Sequence, residues 1–168
     1  MRALSRRHAD QPFTLHLAGA RYCVDYEPGE STTGLFGGNS NWRGPIWFPV
    51  NYLVIEALGR YARFFGDDIV IEHPTGSGRK VTLTGLAEDL SRRLISIFLD
   101  EHGHRPVFGD VDLFQTRPHW HDLLPFHEYF HGDTGRGAGA SHQTGWTALV
   151  ADLVMRTAGR GATGNRHD

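Results

Sequence analysis

The chain has 168 residues, which is enough for one domain with a core of its own. Lysine and arginine number 17 against 19 aspartates and glutamates, so the formal net charge of −2 gives no indication of binding to nucleic acid or to an anionic membrane. The single Cys23 excludes an internal disulfide framework, and no apolar run approaches the roughly 20 residues that span a bilayer. The polar N-terminus lacks the apolar stretch of a secretory signal, which predicts a cytoplasmic protein.

The first predicted elements in chain order are the end of a helix and a β-hairpin. Residues 2–8 have the composition of a last helical turn. Apolar and polar residues alternate over 13–17 and 21–26, on either side of Ala18-Gly19-Ala20, which predicts two antiparallel strands with Cys23 facing inward. Because a lone hairpin is marginally stable in water, we expect it to pack on a larger element.

Two helices are predicted in the middle of the chain, after a glycine-rich loop over 27–44. Apolar residues recur at helical spacing from about Pro49 to Phe65. The predicted inward stripe consists of Val50, Leu53, Val54, Ala57, Leu58, Tyr61 and Phe64. A second helix is capped by Thr82 or Thr84 and stops near Glu101. Its predicted core residues are Leu83, Leu86, Ala87, Leu90, Leu94, Ile97 and Phe98.

A third helix is predicted from about Thr144 to Arg156, followed by a polar, disordered tail over 158–168. Its inward residues are Trp146, Leu149, Val150, Leu153 and Val154. The predicted fold class is therefore mainly α, with long glycine-rich loops and one small hairpin. Three helices and a hairpin make a thin core for this length, so we expect the chain to be part of something larger.

The segment from Gly37 to Asn51 has the composition of a sugar-binding loop. Trp42 and Trp47 bracket Arg43 and Gly44, and Asn51 follows. Tryptophan rings stack on pyranose faces, while guanidinium and amide groups bind hydroxyls. The alternative is that these residues fill a core or an interface, as tryptophan and arginine also do.

A second candidate segment is His127-Glu128-Tyr129-Phe130-His131, which matches the H-E-x-x-H pattern of zinc hydrolases. That pattern places both imidazoles on one face of a helix, but glycines follow it closely here, which disfavours a helix. Glu128 also stands among aromatic residues, where a carboxylate can act as a general base that activates water. The remaining alternative is a surface glutamate paired with an arginine.

Four stretches of the chain together resemble one known family. They are GLFGGNSNWRGPIWFPVNYLVIEAL at 34–58, HPTGSG at 73–78, AEDLSRRLISIFL at 87–99 and FQTRPHWHDLLPFHEYFHGDTGRGAGASHQTGWTALVA at 114–151. They resemble the C-terminal part of bacterial members of glycoside hydrolase family 63, which includes processing α-glucosidase I and neighbours the mannosylglycerate hydrolases. The resemblance covers about residues 2–155.

The resemblance implies a catalytic domain built as an (α/α)6 barrel that inverts the configuration of α-linked glucosides or related glycosides. The position that matches the family's general base is Glu128. Those that match the pocket lining are Trp42, Arg43, Gly44, Trp47, Asn51 and Trp146. No metal or other cofactor is implied, and the expected partner is an oligosaccharide or small glycoside.

The chain departs from this family in one respect. The family's general acid is an aspartate upstream of the residues present, and a barrel of twelve helices is not accommodated in this chain. We therefore expect residues 1–157 to be the C-terminal part of a catalytic domain, with the missing N-terminal part of that domain as a partner. The helices at 50–65 and 83–99 should then expose their apolar stripes, and the isolated chain should lack hydrolytic activity. The alternatives are an inactive carbohydrate-binding or structural fragment and, through HEYFH, a zinc hydrolase.

Overall fold

The computed structural model of the chain describes residues 6–32 and 44–163. Within these ranges the chain is mainly helical, with three two-stranded antiparallel hairpins. The elements are α1 Arg7–Asp10, β1 Phe13–Leu17, β2 Ala20–Val24, α2 Phe48–Phe65, β3 Val70–Glu72, β4 Lys80–Thr82, α3 Leu83–Ser96, a 3₁₀ turn Pro106–Phe108, α4 Asp112–Thr116, α5 Pro118–His121, β5 Tyr129–Phe130, β6 Gly137–Ala138, α6 Thr144–Thr147 and α7 Leu149–Thr163. None of the helices described is long and apolar enough to cross a membrane.

The predicted β1–β2 hairpin is confirmed, with Phe13 opposite Val24. Ala18 and Gly19 both have positive φ, which is the geometry of the tight two-residue turns that match strand twist. The expectation that the hairpin packs on a larger element is wrong for most of its side chains, since most of both strands is exposed. Cys23 is half-buried rather than a full core residue.

The core lies where α2, α3 and α7 meet. Helix α3 packs against both other helices, and its N-terminus is capped by Thr82, whose hydroxyl accepts a hydrogen bond from the Gly85 N–H at 3.2 Å. Apolar side chains from the loops between α3 and β5 complete this core. Its buried members are Phe48, Ile55, Ala87, Leu94, Ile95, Ile97, Phe98, Val107, Phe108, Phe130, Val150 and Leu153.

Five residues of the predicted α2 stripe are not buried within the chain but exposed: Val50, Leu53, Ala57, Tyr61 and Phe64. The face that α2 buries instead carries Phe48, Asn51 and Ile55. Periodicity identifies residues that share a face, but this helix is apolar on more than one face. The expected exposure of an apolar stripe is thus confirmed for α2.

The same expectation is wrong for α3, because this helix buries Leu83, Leu86 and Leu94 within the chain. It also ends at Ser96, before the predicted Glu101. At the C-terminal end, α7 runs through Thr163, past the predicted end at Arg156, so the predicted tail begins inside a helix.

The last predicted helix is divided in two by a turn at Ala148. Val150 and Leu153 are buried as predicted, but Trp146 and Val154 are exposed at 36% and 44%. Thr147 is fully buried instead of Trp146, in α6, a single turn that ends before α7 begins.

Candidate active site

The segment that contains Glu128 is extended, because β5 is hydrogen-bonded on both of its edges. It pairs with β6 on one side, and on the other Phe130 exchanges two backbone hydrogen bonds with Ile46, at 2.8 and 3.0 Å. The Glu128 N–H donates to the Ala140 carbonyl at 2.8 Å, which continues the pairing past the strand. The site is thus assembled from the β5–β6 hairpin and the start of α2.

This geometry removes the basis of the zinc interpretation, as the unfavourable helix context predicted. His127 and His131 flank an extended segment instead of sharing a helical face. In the residues that the structure describes, no group of three or more histidine, cysteine or acidic side chains is placed to hold a metal ion.

The two histidines have separate packing roles. The His131 Nδ1 accepts hydrogen bonds from the Asp133 and Thr134 N–H groups at 3.2 and 3.3 Å and orders the turn that follows. The His127 ring packs on Gly137, where an added Cβ would lie 2.1 Å from the ring. Burial lowers the pKa of His127 below its ordinary value, and its Nδ1 is buried without a hydrogen-bond partner. His127 is therefore a neutral, structural imidazole near neutral pH.

Three of the predicted site residues come together in the structure: Trp47, Glu128 and Trp146. The Trp146 indole N–H donates to the Glu128 carbonyl at 3.0 Å, and the rings of Trp47 and Trp146 meet edge to face with centroids 6.5 Å apart. Trp47 is 4% exposed and its ring centroid lies 4.8 Å from that of Tyr129, whereas Trp146 keeps part of its ring in solvent. Trp47 is therefore a buried packing ring, and Trp146 is the more exposed ring of the pair.

Asn51 is buried one helical turn after Trp47 and donates from Nδ2 to the Trp47 carbonyl at 2.8 Å. It therefore tethers the residue at the start of α2, and its predicted contact with sugar remains a prediction. Trp42 and Arg43 lie outside the described residues, so their predicted roles also remain predictions.

Glu128 is half-buried at the end of the hairpin. The Ala140 N–H points to its Oε2 at 3.4 Å, at the outer limit of a hydrogen bond. Gly139 has φ +67°, and a Cβ at this position would lie 2.7 Å from the Glu128 Oε2. Glycine is thus required beside the carboxylate both for the backbone conformation and for space.

A loop over residues 27–32, which we name the glutamate loop, is the part of the site that sequence reasoning missed. Glu27 is buried and accepts hydrogen bonds from the hydroxyls of Ser31, at 3.5 Å, and Thr32. Gly44 packs directly on this loop, since an added Cβ would lie 1.9 Å from the Glu27 carbonyl oxygen. The structure therefore explains Gly44, which lies in the segment from Gly37 to Asn51, by packing. Its predicted contact with sugar remains a prediction.

The glutamate loop is also attached to the turn after β5. The Gly132 N–H donates to the Pro28 carbonyl at 2.6 Å, and the Tyr26 hydroxyl donates to Asp133 at 3.1 Å. These contacts join residues about a hundred positions apart, which explains why no local sequence pattern revealed them.

Glu30, at the tip of the glutamate loop, reaches the neighbours of Glu128. Its Oε2 accepts a hydrogen bond from the Tyr129 hydroxyl at 2.5 Å, and its Oε1 accepts from the Gly139 N–H at 3.3 Å. Burial, together with the hydrogen bond to Glu30, raises the pKa of Tyr129 far above its ordinary value. Tyr129 therefore keeps its proton and remains a donor to Glu30 at any pH near neutrality.

Comparison with known proteins indicates the class of protein to which this chain belongs. A family model described as the mannosylglycerate hydrolase MGH1-like glycoside hydrolase domain matches residues 18–147. The uncharacterized protein YMR196W of Saccharomyces cerevisiae is 52% identical over 157 residues, which cover 92% of this chain and 14% of the yeast protein. No solved structure matches the chain.

Two further relatives are named as glucosidases. The mannosyl-oligosaccharide glucosidase of the same yeast is 28% identical over 123 residues, which cover 72% of this chain and 12% of that protein. A probable mannosyl-oligosaccharide glucosidase of Schizosaccharomyces pombe is 28% identical over 117 residues, covering 70% and 11%. The chain thus spans less than a sixth of the length of each of these relatives.

The family match over residues 18–147 places the chain in a glycoside hydrolase domain. More particularly, the chain belongs to the MGH1-like glycoside hydrolase family, and the predicted resemblance to glycoside hydrolase family 63 is confirmed.

Proposed function

We propose that this chain forms part of the catalytic domain of an inverting glycosidase and that Glu128 is its general base. The observation that carries the proposal is the placement of Glu128, a half-buried residue held at its backbone by Ala140 and by the indole N–H of the partly exposed Trp146. A carboxylate beside an aromatic platform is what a base needs to activate water at the anomeric carbon of a stacked sugar.

Inversion needs two carboxyl groups about 6.5–9.5 Å apart, so that a water molecule fits between the base and the sugar. In the proposed reaction, Glu128 takes a proton from this water as its oxygen attacks the anomeric carbon. The second carboxyl group protonates the departing glycosidic oxygen. We propose that this acid is an aspartate of a segment outside the chain, as the family resemblance implies.

The substrates that fit best are α-linked glucosides or related small glycosides and oligosaccharides. This follows from the names of two relatives, which are glucosidases, and from the mannosylglycerate hydrolase in the family description. Trp146 supplies the stacking face for such a sugar.

The exposed face of α2 supports the further proposal that the chain is one portion of an (α/α)6 barrel. Leu53 and Phe64 are 67% and 82% exposed on this helix. Long apolar side chains in such a row are typical of a surface that packs against other helices. We propose that helices of the same polypeptide cover them and complete the sugar pocket.

The decisive experiment replaces Glu128 by glutamine in the natural polypeptide that contains this chain and measures hydrolysis of a panel of α-glucosides and α-mannosides. We expect kcat to fall by about 10²–10⁴-fold, the usual contribution of general base catalysis. Glu101→Gln, at an exposed position on the loop after α3, is the matched control and should keep full activity.

Azide should restore turnover in Glu128→Ala and give a glycosyl azide of inverted anomeric configuration.

A second candidate function is carbohydrate binding without catalysis, which the partly exposed Trp146 also favours. Glu128→Gln would then leave sugar affinity intact while the wild-type polypeptide shows binding but no turnover. Full turnover by the Glu128→Gln variant would instead refute the assignment of the base.

A further inference from the structure

Glu30 is connected to Glu128 by a short chain of contacts through the backbone of the β5–β6 hairpin. Glu30 Oε1 accepts from the Gly139 N–H at 3.3 Å. The next residue, Ala140, is bonded to Glu128 twice, since its carbonyl accepts the Glu128 N–H at 2.8 Å and its own N–H points to the Glu128 Oε2 at 3.4 Å. Whatever fixes the Gly139–Ala140 peptide therefore also fixes the backbone of Glu128 and places one N–H beside its carboxylate.

A second connection runs through Tyr129, the residue next to Glu128. The Tyr129 ring is 1% exposed and packs on Trp47, so its hydroxyl has little freedom, and it donates to the Glu30 Oε2 at 2.5 Å. Both oxygens of Glu30 are thus used to join the two arms of the hairpin, one at Tyr129 and the other at Gly139. Charge-assisted hydrogen bonds of this kind are roughly twice as strong as neutral ones.

Glu30 is itself held in place by the rest of the glutamate loop. The buried Glu27 accepts hydrogen bonds from the hydroxyls of Ser31 and Thr32. The Pro28 carbonyl accepts a hydrogen bond from the Gly132 N–H, in the turn that follows β5. These contacts hold the backbone of the glutamate loop in place, and this fixed backbone positions the Glu30 side chain.

From these contacts we infer that Glu30 is a positioning residue for Glu128: it clamps Tyr129 and Gly139 so that the hairpin holds the base toward the sugar. The inference rests on the proposed function of Glu128 and adds a residue that acts through the hairpin. In the reaction it exchanges no proton and forms no bond with the substrate.

The kinetic test uses Glu30→Ala in the natural polypeptide. We expect kcat to fall by about 10–100-fold, with KM changed less than about twofold, because a base displaced by a fraction of an ångström loses rate but not sugar affinity. Glu30→Gln, which keeps one acceptor oxygen for Tyr129 or Gly139, should recover part of the loss. Glu101→Gln is again the matched control.

A double-mutant cycle with Tyr129→Phe tests the clamp itself. The phenylalanine keeps the ring on Trp47 but removes the hydroxyl donor. If Glu30 acts through Tyr129, the double variant should lose little more activity than Glu30→Ala alone, because coupled residues are not additive. Additive losses, or an increased KM at unchanged kcat, would overturn the inference, and the second result would mean that Glu30 contacts the sugar directly.

A readout that needs no activity is the indole N–H resonance of Trp146 in the NMR spectrum of this chain, because that N–H donates to the Glu128 carbonyl. Glu30→Ala and Glu30→Gln should move this resonance, and Glu101→Gln should not. An unmoved resonance in both folded Glu30 variants would refute the connection. If instead the polypeptide cleaves no glycoside while the resonance moves, the proposed function fails and the positioning contact stands.

Discussion

Glycines at three positions determine how closely the segments of the site approach one another. A Cβ on Gly44 would lie 1.9 Å from the backbone of the glutamate loop, one on Gly137 would overlap the His127 ring, and one on Gly139 would crowd the Glu128 carboxylate. These residues are small because another part of the chain occupies the space that a side chain would need. Glycine-rich sequence here reflects close packing rather than mobility.

His127 gives a pH-dependent contribution to stability at the scale of one residue. Burial lowers its pKa in the folded chain below the ordinary value of 6.5, so the unfolded chain binds more protons between the two values. The contribution is fully present above about pH 6.5 and is lost as the pH falls below it, by at most about 1.4 kcal/mol per pH unit.

Chemical denaturation at several pH values between neutrality and mild acid measures this contribution. His127→Phe should remove the part of the pH dependence that belongs to this imidazole, so the difference between wild type and variant changes as the pH falls. His16→Phe, on the exposed strand β1, is the matched control and should leave the dependence as it is. Parallel curves for wild type and His127→Phe would contradict the prediction.

Sequence reasoning at this scale predicted Glu128, Trp47 and Trp146 as site residues from stretches with a recognisable motif, and the structure brings the three together. It missed Glu30 and the role of Tyr129 in binding it. Those two residues are 99 positions apart, and the feature that pairs them is the docking of a loop, which leaves no periodic pattern in the sequence.

At the scale of elements, long helices were predictable and short strands were not. Helices α2 and α3 each carry several turns of periodic apolar residues, so their existence and starting points could be read from the sequence. Strands β3 to β6 have two or three residues each, too few to show alternation. One of them, β5, also pairs through Phe130 with Ile46, which lies far away in sequence.

The N-terminal cap of α3 provides a test at this scale. Thr82 and Thr84 are both plausible caps in the sequence, and the structure assigns the role to Thr82, whose hydroxyl accepts from the Gly85 N–H. Thr82→Ala should reduce the free energy of unfolding by about 1 kcal/mol, the usual value of such a cap, which corresponds to roughly 2–4 °C in Tm.

The matched control is Thr84→Ala, which lies inside the first turn of α3 and introduces a better helix former. It should leave the Tm unchanged or raise it slightly. A larger loss from Thr84→Ala than from Thr82→Ala, measured by thermal unfolding followed by circular dichroism, would show that the cap has been assigned to the wrong threonine.

At the scale of the whole molecule, the unpaired face of α2 is the dominant surface feature. It carries Leu53, Tyr61 and Phe64, all well exposed, and Phe65 packs beside the last two at its C-terminal end. We predict that the isolated chain self-associates through this face, because burying large apolar side chains is favourable at roughly 25 cal/mol per Å².

Sedimentation velocity over a range of concentrations measures this association. The average mass of the wild-type chain should rise with concentration, and the double variant Leu53→Glu with Phe64→Glu should remain monomeric. Val111→Glu, an exposed apolar position outside α2, is the control and should behave like wild type. A wild-type chain that stays monomeric throughout would contradict the prediction.

The attachment of the glutamate loop has a consequence for the order of assembly. Tyr26, Pro28 and Glu30 are synthesised about a hundred residues before the residues that bind them, from Tyr129 to Gly139. Closing so long a loop costs entropy that local contacts cannot repay, so the helices can form before the two halves of the site meet. The site is therefore completed only after the β5–β6 hairpin has been made, and a nascent chain stopped before Glu128 would carry the glutamate loop without the hairpin to which it binds.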